Sequence, residues 1–261
     1  MDRARSAPIR RALVGLATLA LAFAPMARAQ VATTVPEVAP RRPRFDPAAL
    51  RPSQFVYQMT LERDAGSTIL GTRTVTTSII TYAGAPAWLL LEQRSGDGVS
   101  HTDSLITDLL GLRPLHWSSN IGASRLAAEF RGDTVFGATS APSGRRSMIG
   151  VIPSGSFVSS AMLETVLRLL PLQSAWEDSA TTASVTLGSN TVVPTRLAVI
   201  GEDRVSVPAG TFDCWVVSVR ADPGRALYWV TKQSPIVVRS AMDVPSLGTA
   251  QLIYALTRIG R

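Results

Sequence analysis

Residues 54–62 read Gln-Phe-Val-Tyr-Gln-Met-Thr-Leu-Glu, and their hydrophobic period is two. Successive side chains of an extended chain point to opposite faces, so Phe55, Tyr57, Met59 and Leu61 share one side of a strand. Val56, Gln58, Thr60 and Glu62 share the other, which predicts a half-buried strand with one wet face. Asp64-Ala65-Gly66-Ser67 supplies a turn, and the Thr- and Ile-rich run Ile69–Tyr82 reads as a long strand bent near Gly71. Gly84-Ala85-Pro86 breaks it, Trp88–Gln93 resumes, and Gly96-Asp97-Gly98 marks another hairpin before Val99–Thr107. Shorter strands fit Leu112–Ser118, Arg125–Arg131 and Thr134–Thr139, the last two joined at Gly132-Asp133.

One segment departs from that period. Within 156–170, Val158, Met162, Val166 and Leu169/Leu170 recur at helical spacing, with Leu163 and Leu167 beside them. Ser160, Glu164 and Arg168 form a polar stripe, and Glu164 to Arg168 is the favourable i,i+4 order. Ser154 or Ser156 is placed to cap the start and Pro171 to end it. Strands then return over Thr182–Leu187, Thr191–Ile200 and Arg204–Val207, a Pro208-Ala209-Gly210 turn follows, and Thr211–Val219, Arg225–Lys232, Pro235–Met242 and Thr249–Ile259 complete the chain. About a dozen short strands with one inserted helix predict a mainly β fold. Its single antiparallel sheet curls on itself, and the apolar face of the helix of residues 156–170 has only that sheet to lie on.

The chain upstream of residue 54 is different in kind. Arg3, Arg5, Arg10 and Arg11 form a basic start, Ala12–Ala24 is an uncharged run rich in Leu and Ala, and Ala27-Arg28-Ala29 offers small residues at a cleavage site. That order predicts a secretory signal over 1–29 with cleavage near Ala29, and hence a periplasmic or extracellular protein. The apolar run is too short to span a bilayer, so the chain reads as not membrane-spanning. Arg10-Arg11 suggests the twin-arginine route, but the residues after it fit the general route better. With no Cys near the cleavage site, lipid attachment there has no thiol to use. Residues 30–53, with five Pro and four Arg, read as a disordered linker. Arg41, Arg42, Arg44 and Arg51 in it read as a solvated cluster or as a contact for anionic lipid or cell-wall polymer. The folded domain is then 54–261.

Charge and cysteine usage narrow the function classes. The 261-residue chain has 26 basic and 19 acidic residues, a net charge of +7. Removing residues 1–29 takes away five Arg and one Asp, leaving 21 basic and 18 acidic residues and a net charge of +3. No basic stripe interleaved with aromatics remains, which argues against nucleic acid. The single Cys214 permits no internal disulfide, so the fold must rest on its core, and a buried, inert thiol is the expected state.

Catalytic patterns are missing. His101 and His116 belong to no metal-binding pair, and there is no oxygen-rich calcium loop, G-x-S-x-G elbow, S-x-x-K pair or phosphate-cradling glycine loop. No metal or other cofactor is expected. Ser100 and His101 are adjacent on a strand and point apart, so His101 is expected as an exposed strand residue, though a dispersed hydrolase site assembled from distant partners stays open. Glu177-Asp178 and Glu202-Asp203 read as solvent-exposed pairs. The five Trp, at 88, 117, 176, 215 and 229, read as core.

The words Val205-Ser-Val-Pro-Ala-Gly-Thr-Phe-Asp-Cys214 and Tyr228-Trp-Val-Thr-Lys-Gln-Ser-Pro-Ile-Val-Val-Arg239, with the helix end Leu167-Arg-Leu-Leu-Pro-Leu172, resemble the exported bacterial proteins grouped as domain of unknown function 3108. The resemblance spans roughly 54–261, with its specific words in 154–240. It implies an incomplete antiparallel barrel plugged by one helix, similar in shape to periplasmic carriers of lipoproteins. The leading expectation is therefore a non-enzymatic envelope protein holding an apolar ligand such as a lipid, an acyl chain or a lipoprotein. Its candidate lining is Phe55, Tyr57, Met59, Leu61, Met162 and Val166. Small barrels are commonly filled by their own side chains, so the same six residues read equally as core. The second expectation is an assembly protein that pairs with an envelope partner through an exposed sheet edge.

Overall fold

A computed structural model describes residues 42–96, 99–153, 155–158, 161–186, 189–221 and 224–260. The first half of the sheet is a continuous meander of β1 (Ser53–Arg63), β2 (Gly66–Tyr82), β3 (Ala85–Gly96), β4 (Val99–Thr107), β5 (Pro114–Ile121), β6 (Ser124–Arg131), β7 (Thr134–Ala141) and β8 (Gly144–Val151). A two-residue β9 (Phe157–Val158) and the helix α1 (Ala161–Leu167) follow. The second meander runs through β10 (Glu177–Thr186), β11 (Ser189–Val207), β12 (Gly210–Ala221), β13 (Gly224–Thr231), β14 (Val237–Asp243) and β15 (Gln251–Gly260). Among the described residues these fifteen strands form one sheet, ordered β8 to β1, then β15 down to β9. Pairing is antiparallel throughout except for β9 with β10. β8 and β9 are its two edges, and the sheet is not closed into a barrel.

Local chemistry shapes the long strands. Between β1 and β2, Met59 pairs with Gly71 and Thr60 with Ile69, so Leu70 is an extra, bulged residue. Gly71 has φ +139°, and a Cβ there would lie 2.1 Å from the Ser95 carbonyl oxygen. The expected bend thus needs glycine for both conformation and space. The β2–β3 turn places Ala83 and Gly84 at φ 49° and 82°, the left-handed pair that a tight two-residue hairpin requires. The two strands expected at 191–200 and 204–207 are one 19-residue strand, β11, with a register shift between Val199 and Gly201.

The helix is shorter than its sequence signature. α1 covers 161–167, while Phe157–Val158 pairs with Thr182–Ala183 as β9. Phe157 and Val158 are both buried, and an aromatic beside a β-branched residue suits a pleated core surface better than a helix turn. The Ser156 N–H donates to the Pro153 carbonyl, and the other expected cap, Ser154, lies outside the described residues, as does Ser160. No described helix is long and apolar enough to cross a membrane.

Of the segment read as a linker, residues 42–52 are docked on the domain. Leu50 is buried and Phe45 packs on the core beside Phe157. The Arg42 guanidinium lies 4.9 Å from both ring centroids and donates to the Leu112 carbonyl at 3.2 Å. The Asp46 N–H reaches the Leu169 carbonyl at 3.4 Å, and Pro47–Ala49 forms a 3-10 turn capped by the Asp46 carboxylate. Only the earlier part of that segment is left as a candidate tether, and it lies outside the described residues.

Candidate functional site

Residue parity along the strands decides what faces the concave side. Phe55, Tyr57, Met59 and Leu61 all point inward, as expected, and all are buried. Phe55, Tyr57 and Met59 join an apolar cluster with Val75, Trp229, Val238, Tyr254 and Leu256. Met162 and Val166 belong to a different cluster, under α1, with Leu90, Leu105, Phe157, Leu197 and Val217. Five of the six candidate lining residues thus divide between two parts of the core, and Leu61 is buried outside both clusters.

A buried ionic network joins these clusters. Arg73 comes from the inward face of β2, directly across from Tyr57 of β1. Its Nη1 donates to Glu164 Oε1 on α1 and its Nη2 to Glu92 Oε2 on β3, each at 2.7 Å. Arg94 pairs with the other Glu92 oxygen. The Arg73 guanidinium also packs over the rings of Tyr254 and Tyr57, 4.8 and 5.5 Å from their centroids. Glu164 was expected on a wet stripe, yet it is 5% exposed. The helix turns Glu164 inward because two charges can be buried together when each has a partner. Burial pushes the Glu92 carboxyl up, but Arg73 and Arg94 with their hydrogen bonds outweigh it and hold it down at about 2. Burial also lowers Arg73, and Glu164 and Glu92 more than reverse that. Burial, reinforced by the Glu164 charge, raises the Tyr57 and Tyr228 hydroxyls. At the end of the helix, Arg168 stacks over Phe55 at 4.6 Å and donates to the Pro235 carbonyl at 3.3 Å. α1 is thus fastened to the sheet by charge as well as by apolar contact.

Polar groups with catalytic names do meet, but not in catalytic order. His101 is buried rather than exposed, since parity puts it on the concave face with Asp103 and Leu105. Asp103 Oδ1 and Ser119 Oγ lie 2.9 and 3.1 Å from the same ring nitrogen, Nε2. A nucleophile–base–carboxylate relay needs serine on one imidazole nitrogen and carboxylate on the other. Here the carboxylate and the serine share one nitrogen, which is not that order. His116 Nδ1 contacts Glu129 Oε1 at 2.7 Å, while the Tyr82 hydroxyl donates to Oε2 of the same carboxylate at 3.0 Å. No group of three or more His, Cys, Asp or Glu among the described residues is placed to hold a metal ion. Cys214 is fully buried, and burial, then the Asp203 and Asp213 charges, push its thiol up to about 11. Trp88 and Trp229 are buried, and Trp117, Trp176 and Trp215 pack against the core.

Open surfaces among the described residues include two clefts and a sheet edge. A polar cleft of about 620 Å³ lies beside the Val-Pro-Ala-Gly hairpin, lined by Glu202, Asp203, Arg204, Phe212, Asp213 and Lys232 among others. Its charges answer one another: Lys232 pairs with Glu202 and sits over the Trp215 ring, and Asp203 accepts from Trp229 Nε1 at 2.9 Å. A second, apolar groove of about 300 Å³ runs between residues 47–52 and Ile79, Trp88 and Leu109. The third surface is the β8 edge. β8 carries Arg145, Arg146 and Ser147 exposed, then Ile149 at 75% and Val151 at 66% exposure. Phe136, also exposed, is the cross-strand partner of Ile149. Sequence reasoning missed Arg73, Glu92, Glu164 and the whole of β8. For Arg73 and Glu92 a signal existed, since each shares inward parity with Val75 and Leu90. β8 is too rich in Gly, Ser and Arg to show alternation.

Fold and surfaces together define a class: a mainly β protein built as one large, unclosed sheet with, among the described residues, a single α-helix on its concave face. The chain belongs to the family of proteins of unknown function DUF3108, whose model matches residues 56–252. Among solved structures it is similar to a β-barrel-like protein of the domain of unknown function DUF1849 from Brucella abortus, at 14% identity and a TM-score of 0.49, covering 80% of this chain and 97% of that one. A YmcC-like fold from Bacteroides fragilis NCTC 9343 gives 11% identity and a TM-score of 0.30, covering 86% of this chain and 100% of that one. A DUF1329 family protein from Desulfovibrio piger ATCC 29098 gives 11% and 0.28, covering 80% and 84%. No curated protein matches the chain.

Proposed function

We propose that this is a non-catalytic envelope protein, exported by its N-terminal signal, that binds an extended segment of another polypeptide on the free edge of β8. The observation that carries this reading is an eight-residue edge strand with exposed side chains beside a packed interior. Ala141 pairs with Gly144 across the β7–β8 turn, and the Ile152 N–H donates to the Asp133 carbonyl at 2.8 Å. In an antiparallel ladder this parity directs the backbone groups of Gly144, Arg146, Met148 and Gly150 toward β7. Those of Arg145, Ser147, Ile149 and Val151 point outward, where a further strand can pair. β8 holds two Arg and no carboxylate, so the fitting segment carries carboxylates opposite Arg145 and Arg146 and apolar side chains that cover Phe136 and Ile149.

The other reading, carriage of a lipid or lipidated protein against Phe55, Tyr57, Met59, Leu61, Met162 and Val166, requires those side chains to leave the core they fill. A photo-crosslinking residue at Ser147 of the exported chain tests the edge. The expected result is one polypeptide adduct that disappears with Ile149→Pro and weakens with charge reversal at Arg145 and Arg146. Adducts indifferent to Ile149→Pro would sink the edge reading. Native mass spectrometry of the same chain separates the alternatives, because a co-purifying lipid mass lost on denaturation favours carriage.

A further inference from the structure

The apolar groove lies at one end of the concave face, and its surroundings are amphipathic. Ile79 has the inward parity of Arg73, Val75 and Thr77, yet it is 53% exposed because it stands at the rim. Next to the groove, the loop between β4 and β5 carries Leu109-Leu110-Gly111-Leu112. Leu112 is fully buried, Leu109 packs on the core, and Leu110 between them is 89% exposed. The exposure is built into the loop. Asp108 Oδ1 accepts from the backbone N–H groups of Gly111 and Arg113 at 2.7 and 3.2 Å, and the Asp108 N–H donates to the Arg113 carbonyl at 3.0 Å. The Arg42 guanidinium packs behind the same loop and holds the Leu112 carbonyl. A leucine presented this way has its apolar surface in water, with nothing among the described residues to cover it.

The charge around Leu110 has one prevailing sign. Arg51, which lines the groove with Leu109 and Ile79, is exposed, and the Arg113 side chain is 77% exposed. The nearby carboxylates are engaged locally, Asp46 in capping Ala48 and Asp108 in stapling its own loop and binding Arg113. Exposed leucine and isoleucine ringed by arginines match a membrane interface, where apolar side chains enter the headgroup boundary and guanidinium groups meet lipid phosphates. We infer that this rim docks on an anionic lipid surface, with Leu110 and Ile79 entering the interfacial layer and Arg51 and Arg113 facing phosphates. The surface is separate from β8 and shares no residue with it.

The test is co-sedimentation of the exported chain with vesicles of phosphatidylcholine alone and with about one third phosphatidylglycerol, a fraction that gives a clear negative surface potential. Binding is expected to the anionic vesicles, at least about tenfold weaker to the neutral ones, and reduced by salt, which shortens the screening length and supplies competing ions. Leu110→Asp, in a fully formed and exposed loop position, is expected to lower partitioning by about tenfold with an unchanged unfolding midpoint. Arg51→Glu is expected to lower it about threefold or more and to make the salt dependence shallower, because one phosphate contact fewer is screened. Ile149→Pro is expected to leave it unchanged. No binding to anionic vesicles, equal binding to neutral ones, or binding insensitive to Leu110→Asp would each overturn the proposal.

Discussion

Arg73 is a single residue on which two apolar clusters and the helix depend. Removing it alone leaves Glu164 and one face of Glu92 buried without a cation, which costs about 3–5 kcal/mol in comparable buried pairs. Arg73→Met is expected to lower stability by that order in urea denaturation. Arg73→Met combined with Glu164→Leu removes both unpaired charges and leaves Glu92 with Arg94, so it is expected to recover most of the loss. If the double variant is as unstable as the sum of the singles, the network does not act as a unit. Glu92 gives the pH dependence. Its carboxyl is held at about 2, below its ordinary value, so its stabilising share is complete above about pH 4.5 and is lost as pH falls toward 2. Glu92→Gln should flatten the acid limb of the stability profile. These residues mark where sequence reading ran out. Alternation put Phe55, Tyr57, Met59 and Leu61 on the inner face, because period two is a local property. The i,i+4 spacing of Glu164 and Arg168 suggested a wet stripe, and only the position of Arg73, 91 residues away, turns it into a buried contact.

At the scale of elements, turn chemistry was legible and pairing edges were not. Gly71, Gly84 and Pro208-Ala209-Gly210 announce their bends through conformations that few other residues adopt. The helix was found but overextended, since Val158 fits a helical face and a strand core equally well and its pairing with Ala183 decides. β8 has no such local signal. Its parity leads to a prediction that involves two neighbouring exposed residues. Ser147→Pro removes an N–H that points away from β7 and should cost little, whereas Arg146→Pro removes a ladder hydrogen bond and should cost about 3 kcal/mol or more. Hydrogen exchange on the unmodified protein gives the companion measurement: amides 145, 147, 149 and 151 should exchange fast, and 146 and 148 slowly. Uniform protection along β8 would mean that the edge is already covered, and the edge-binding proposal would fail with it.

For the whole molecule, the decisive contact is the least local one. Each meander follows from its own hairpins, and that much could be read from turn spacing. The join between the two meanders is β1 with β15, where Gln54 pairs with Gly260 across the full length of the domain. No periodicity announces that pairing; it was implied only by resemblance to a curled, half-open barrel. Its energetic consequence can be measured. The cluster under α1 takes Leu90, Leu105 and Val135 from the first meander and Leu197, Val217 and Tyr228 from the second. Neither half therefore covers its own apolar face, and Arg73 and Glu164 bind the helix between the meanders to the first. Chains of this size often unfold in stages, but shared burial and a shared central pairing argue for one cooperative step. Variants retaining only Trp117, in the first meander, or only Trp215, in the second, should give urea transitions that coincide with each other and with far-ultraviolet dichroism. Removing residues 251–261 should abolish both transitions rather than one. If Trp117 instead kept a cooperative transition in the truncated chain, the first meander would fold alone, and the sheet would be two units joined by β1 and β15 rather than one.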